Sequence, residues 1–171
     1  MDSHHPLARS RRLRFEPLES RRVLSITVDT LVDENNGVGA GAGTSLREAI
    51  AAAATGDTID FSVTGTIDVL GQLVINKNLT IAGPGANLLT LSAHDPTPGT
   101  KNGDGRRVFF IGDNNGTNLL DISISGLTLT GGDVSFDGGG AIWTSENTVV
   151  SDCVIVECSL VAYRNAAPRM A

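Results

Sequence analysis

From Thr58 onward the chain is written in short runs of alternating apolar and polar residues, each closed off by Gly, Asn, Asp or Ser. Nothing else in it constrains the fold as strongly, because that alternation is the signature of half-buried strands. The runs are TIDFSV, TIDVL, QLVI, NLTIAG, LLTLSA, RVFFIG, LLDISISGLTLTGG, GAIWTS and NTVVSDCVIVE. Three of their segments superpose: NLTIAG at 78 to 83, GLTLTGG at 126 to 132 and DCVIVEC at 152 to 158. Leu79 precedes Leu127 by 48 residues and Leu127 precedes Cys153 by 26, which reads as a repeat of about 24 residues with one interval doubled. Strands of three to five residues joined at Asn and Gly corners can wind around a narrow core, with Leu79/Ile81, Leu127/Leu129 and Cys153/Ile155 turned inward. The pattern therefore predicts an all-β fold, a right-handed parallel β-helix of about four coils.

Composition agrees with narrow layers. Glycine is frequent at 20 residues and aromatics make up only 4% of the 171-residue chain, a mix suited to many tight turns. Charge is unevenly spread. Residues 1 to 24 hold six Arg against Asp2, Glu16 and Glu19, whereas residues 25 to 159 carry five basic and sixteen acidic groups. So acidic a main region is a poor nucleic-acid binder, since a phosphate backbone requires a positive face. No apolar run approaches the eighteen or so residues of a membrane span.

One stretch departs from the strand pattern. In TSLREAIAAAATGD, Ser45 followed by Glu48 forms a capping box. Leu46, Ala49, Ile50 and Ala53 share one side at helical spacing, and Gly56 is placed to end the helix in a left-handed conformation. A helix near 45–55 is predicted. The first coil of a solenoid has an exposed edge, and this helix is positioned to cap it.

Cys153 and Cys158 have neither the number for a disulfide framework nor a second pair for zinc, so they read as small hydrophobes near a strand. DENNG at 33 to 37 and GDNNG at 112 to 116 offer oxygen ligands without the spacing of a calcium loop. The Asn and Asp residues there suit left-handed corners. No motif implies a cofactor or a metal.

Two stretches resemble known families. RRLRFEPLESRRVLS, residues 11 to 25, resembles the LEPR-x-LL-type N-terminal motif of large planctomycete surface or secreted proteins, through Phe15, Glu16, Leu18, Glu19, Arg21, Arg22 and Leu24. That resemblance implies export or surface sorting; read as physics alone, residues 1–25 are a disordered basic leader. TSLREAI, with GDTIDF, LVINKNLTIAGPGA and ISGLTLTGG, resembles the CSLREA domain that opens extracellular β-helix proteins, with Thr44 in place of the eponymous Cys. GGGAI at 138 to 142 is similar to the G-G-A-I repeat of polymorphic outer-membrane proteins and adhesin-like passengers. Together these resemblances imply a secreted or cell-surface β-helix over residues 26–159, with surface glycans or cell-envelope components as partners.

Chemistry has few candidates. Asp133 and Asp137, in GGDVSFDGGG, could face a glycosidic bond as acid and base, although solvated turn aspartates explain the same spacing. The sequence elements of polygalacturonase-like enzymes are absent. Asp104 with Arg106 and Arg107 faintly echoes the calcium cage and basic residue of β-helix lyases, and reads more simply as a polar loop. Trp143 is a surface or edge aromatic with a possible sugar-stacking role. After Ser159 the alternation stops, and residues 160–171 read as an irregular tail, a truncation or frameshift product, leaving an uncapped coil open to self-association. The reading is a structural or adhesive surface module without catalysis. The alternatives are a lyase- or hydrolase-like β-helix acting on acidic glycans, or a nonfunctional fragment of a longer surface protein.

Overall fold

The computed structural model describes residues 24–116, 119–135 and 138–161. The expected sorting residues Phe15 to Arg22, the candidate Asp137 and the tail from 162 lie outside the described residues. Within them the protein is mostly β, and every pairing between strands is parallel.

Strand β1 (Ser25–Val28) is followed by helix α1 (Leu46–Ala52) and then by β2 (Thr58–Phe61), β3 (Gly65–Val69), β4 (Leu73–Ile75), β5 (Leu79–Ala82) and β6 (Leu89–Ala93). Next come β7 (Phe109–Ile111), β8 (Asp121–Ser125), β9 (Thr128–Thr130) and β10 (Asp133–Ser135). The last are β11 (Ile142–Thr144), β12 (Asn147–Ser151), β13 (Val154–Ile155) and β14 (Ser159–Val161). A first sheet has the order β1-β2-β5-β8-β12, a second β13-β9-β6-β3, a third β11-β7-β4, and β10 pairs with β14. The chain thus visits the first, second and third sheets in turn and returns to the first, one strand further along.

Alternation decides which residues meet. Ile59, Ile81 and Ile124 are in register across the first sheet, Ile67, Leu91 and Leu129 across the second, and Leu73 and Phe109 across the third. All are buried and belong to one core cluster that all three sheets share. Each such Leu or Ile withdrawn from water stabilises the fold by roughly 1.5–3 kcal/mol before entropy is counted. The residues between them, such as Thr80, Thr90, Ser123 and Thr128, face outward and are half-exposed.

The structure corrects the expected repeat. Leu79 and Leu127 do not occupy equivalent places: Leu79 lies in the first sheet opposite Ile122, while the Leu127 segment continues into β9 of the second. Gly126, with φ of 65°, turns the corner between β8 and β9, so a stretch that reads as one run is two strands on different sheets. Partner offsets vary from 22 residues (Thr58 to Thr80) to 43 (Leu79 to Ile122), because residues 94–108 loop out between β6 and β7. Offsets of 24 residues, from Gly65 to Leu89, and of 26, from Asp121 to Asn147 and from Thr128 to Val154, lie close to the expected period.

The inward pairs are corrected at one end. Leu79, Ile81, Leu127 and Leu129 are buried, but Cys153 is half-buried and Ile155 is 50% exposed. Ile155 is in register with buried Leu129, so it turns toward the same side, but its strand ends the second sheet and nothing described covers it. Pairing also runs beyond Ser159, where the alternation was expected to stop: β14 carries it through Val161.

The helix forms where expected. Ser45 is its N-cap, and Leu46, Ala49, Ile50 and Ala53 are all buried in the common core. It packs against β1 and β4, the terminal strands of the first and third sheets. Its end differs from the sequence reading. Ala53 turns to an extended conformation, and the Lys77 Nζ donates to the carbonyls of Ile50, Ala51 and Ala53 at 3.1, 3.3 and 2.9 Å. That cation satisfies orphan acceptors at the negative end of the helix, while Gly56 lies in the next turn and donates its N–H to the Asn78 carbonyl. Among the described residues no helix is long and apolar enough to cross a membrane.

Candidate functional site

Most of the charged residues singled out in the sequence turn out to hold the structure together. In the SLREA segment the Ser45 hydroxyl accepts from the Glu48 N–H, and Glu48 Oε2 accepts from the Ser45 N–H at 3.0 Å. The other Glu48 oxygen accepts from the Asn36 and Gly37 N–H groups, both at 2.7 Å. Those bonds, the Ser45 N–H foremost, hold the Glu48 carboxyl below its ordinary range against the opposing effect of burial. Arg47 forms a bidentate pair with Asp33 at 2.8 and 2.7 Å and also donates to the Gly71 and Gln72 carbonyls. Asp33 in turn accepts from the Leu70 N–H. Ser45 and Glu48 fasten the 34–44 loop to the helix, and Arg47 fastens the helix to the turn before β4. Thr44, where the resembled family has Cys, is buried and its N–H donates to Asp29. Leu24, the one sorting-motif residue described, has an exposed side chain, and its N–H donates to Asp57 at the start of the array.

Asp133 is fully buried. One oxygen accepts from the N–H groups of Asn102 and Gly103 at 3.0 and 2.8 Å, the other from the Ser159 hydroxyl at 2.5 Å. Burial pushes its carboxyl up, but these bonds and the nearby Lys101 charge outweigh burial and keep it below the usual range. Such a group stays ionised and has its oxygens occupied, so it serves as a latch joining the 94–108 loop, β10 and β14. A general acid needs a raised value and a solvent-side proton, and Asp133 has neither. Asp95, Asp104 and Asp133 do bring ligand oxygens within 4.8 Å of one another. Asp104 already accepts from the Thr97 hydroxyl and the Asn102 amide, and Asp95 from the Thr97 N–H, so loop geometry accounts for this cluster.

The two cysteines are free thiols, half-buried against the core. Burial raises the Cys158 thiol above its ordinary value, which makes it a poor nucleophile at neutral pH.

Trp143 has a more informative setting. On the outer side of the third sheet, Val74, Phe110 and Trp143 stand in register on adjacent strands. The Phe110 and Trp143 rings stack with centroids 4.5 Å apart and planes inclined by 6°. The Arg107 guanidinium carbon lies 6.0 Å from the Phe110 centroid, at the outer limit of a cation–π contact. Gln72, Arg107, Phe110, Gly138 and Trp143 line a depression of about 440 Å³. A second one of about 170 Å³, lined by Gln72, Gly103, Gly105, Arg106, Arg107, Val134 and Ser135, shares Gln72 and Arg107 with it. The structure therefore joins Trp143 to Phe110 and an arginine pair that sequence reasoning left in a polar loop. Asp133 lines neither depression. Alternation in RVFFIG and GAIWTS does put Phe110 and Trp143 on the outward side, but their 33-residue separation hides that they are neighbours. No family model, no curated protein and no solved structure matches the chain.

Proposed function

We propose that the chain is a right-handed parallel β-helix module of about four coils, secreted or held at the cell surface, with an adhesive or structural role and no catalysis of its own. Two features support the architecture. The chain passes through the first, second and third sheets in a fixed rotation, and every pairing in them is parallel. Right-handedness follows from the strong chirality of parallel crossover connections. The resemblance of its SLREA segment to domains that open extracellular β-helices supports the location.

One observation carries the adhesive reading. Glu48, Asp57 and Asp133, the buried carboxylates, are bonded to loop donors, while the stacked Phe110–Trp143 pair opens onto a groove beside Arg106 and Arg107. A ring stack on a rigid sheet is a contact surface, since aromatics supply area at small entropic cost.

The test uses the full-length chain, fluorescently labelled and mixed with a bacterial cell-envelope preparation. Saturable retention without release of reducing ends or unsaturated sugars is expected. Release of such products would replace this reading with that of a glycan-degrading enzyme, and absence of retention would remove adhesion.

A further inference from the structure

We propose that the groove beside Phe110 and Trp143 is a binding site for an acidic oligosaccharide, a uronate-bearing glycan whose pyranose ring packs on the aromatic pair while its carboxylate meets Arg106. The proposal rests on the adhesive reading and supplies its ligand class.

Charge is the first argument. Residues 25–159 hold only five basic groups against sixteen acidic ones, yet two of the five stand side by side at this groove. Arg47 pairs with Asp33, Lys77 with the helix carbonyls, and Lys101 with the Glu157 carbonyl. Arg106 is exposed and donates to the Gly105 carbonyl at 3.3 Å, and among the described residues no carboxylate forms an ion pair with it. Arg107 is more than nine-tenths buried and lines both depressions, its guanidinium carbon 6.0 Å from the Phe110 ring centroid. Arg106 thus offers an exposed cation in a net-acidic region, complementary to an anion.

Shape is the second argument. β11 is the terminal strand of the third sheet, and among the described residues no other ring stacks on Trp143 beyond Phe110. An apolar sugar face fits such a ring, and the Gln72 side chain on the shared wall can bond hydroxyls. The guanidinium fork of an arginine matches a carboxylate in two parallel bonds. Aromatic platform, amide and cation lie along two adjoining depressions, as a chain of sugar rings with a carboxylate on each requires.

Trp143 is the single tryptophan of the chain, so its fluorescence reports on this groove directly. The experiment titrates the full-length protein with tetragalacturonate and, separately, with the same tetrasaccharide fully methyl-esterified, which removes the charge and keeps the rings. The acid is expected to change the emission and to bind about 10-fold or more tightly than the ester, the usual size of a charge-assisted bond. Arg106→Gln should remove most of that difference and leave the ester's affinity unchanged. Trp143→Ala, followed by calorimetry, should weaken both. Binding of the acid should also weaken in high salt; salt-independent binding would overturn the proposal even if the arginine variant failed to fold. If the ester binds as tightly as the acid, or Arg106→Gln changes nothing, the ligand class is wrong while the adhesive reading stands. If neither sugar binds, the proposal falls, and the envelope-retention assay alone decides the adhesive reading.

Discussion

Single residues reveal how tightly successive layers repeat. Gly126 and Asp152 lie 26 residues apart, the offset at which β8 pairs with β12, and both adopt a positive φ, 65° and 52°. Gly131 and Glu157 repeat the relation at the next corner, with φ of 75° and 52°. Glu157 thus holds a left-handed conformation that costs an L-residue roughly 1–2 kcal/mol. Its exposed side chain accepts no hydrogen bond from a described residue, while its carbonyl keeps the Lys101 contact whatever the side chain. Glu157→Gly is expected to stabilise the fold by about 1 kcal/mol in urea melts; a loss of stability would show that the glutamate does more than occupy a corner. The opposite substitution, Gly126→Ala, should cost about 1–3 kcal/mol, because the new Cβ would lie 2.5 Å from the Gly83 carbonyl oxygen. Carboxylates give the same scale a pH dependence. Glu48 and Asp133 have folded values below their unfolded ones, so their contribution is complete above the unfolded carboxylate range, near pH 4. It is lost as pH falls through the depressed folded values. Thermal melts should therefore weaken below about pH 4, and Glu48→Gln with Asp133→Asn should flatten that dependence while lowering the melting temperature at neutral pH.

Elements were legible in proportion to how local their signals are. The capping box at Ser45 and Glu48, and the buried stripe from Leu46 to Ala53, follow from spacing within one helix, and the structure has them. The helix end was not legible, because its cap is Lys77, which the chain folds back from the β4–β5 connection. Lys77→Met keeps the aliphatic stem and removes the charge, so its expected loss of about 1 kcal/mol isolates the carbonyl contacts. A denaturant midpoint equal to the parent's would show those contacts to be incidental. Strands with clean alternation were readable, β2 to β9 and β11 to β13, although β8–β9 and β12–β13 each read as a single run, whereas β1, β10 and β14 were missed. SITV follows directly on a charged segment, DVS sits in the glycine-rich stretch GGDVSFDGGG that reads as a turn, and SLV lies where the Gly and Asn corners have stopped. Register was the larger loss. Pairing depends on how many residues loop out between layers, and the stretch after β6, legible as a polar loop, did not reveal that it lengthens the offset from Leu79 to Ile122 to 43 residues. The same excursion separates Arg106, Phe110 and Trp143 from any recognisable motif. The groove they build became visible only once β7 and β11 were seen side by side.

At the scale of the whole molecule, the two ends of the described array differ, and that difference sets where it opens. One end is covered by α1, locked by the Glu48 and Arg47 bonds, with Leu46, Ala49 and Ile50 in the core. The other ends in β12 and β13, where Val149, Val150, Val154 and Ile155 are 40–61% exposed. In a stack whose layers contact only their neighbours, stability is a sum of nearest-neighbour terms, so a layer with one neighbour opens more readily than a layer with two. β5 lies between β2 and β8, and Ile81 is fully buried, whereas among the described residues β12 is bonded on one side only. Hydrogen exchange followed by mass spectrometry should find the slowest amides in β5, β6 and β8 and the fastest strand amides in β12 and β13. Ile81→Ala, a central truncation costing about 2–5 kcal/mol, should speed exchange in all three sheets together. Val150→Ala should affect only its own layer. Uniform protection from β2 to β13, or a purely local response to Ile81→Ala, would mean that the array does not behave as a stack of neighbour-coupled layers.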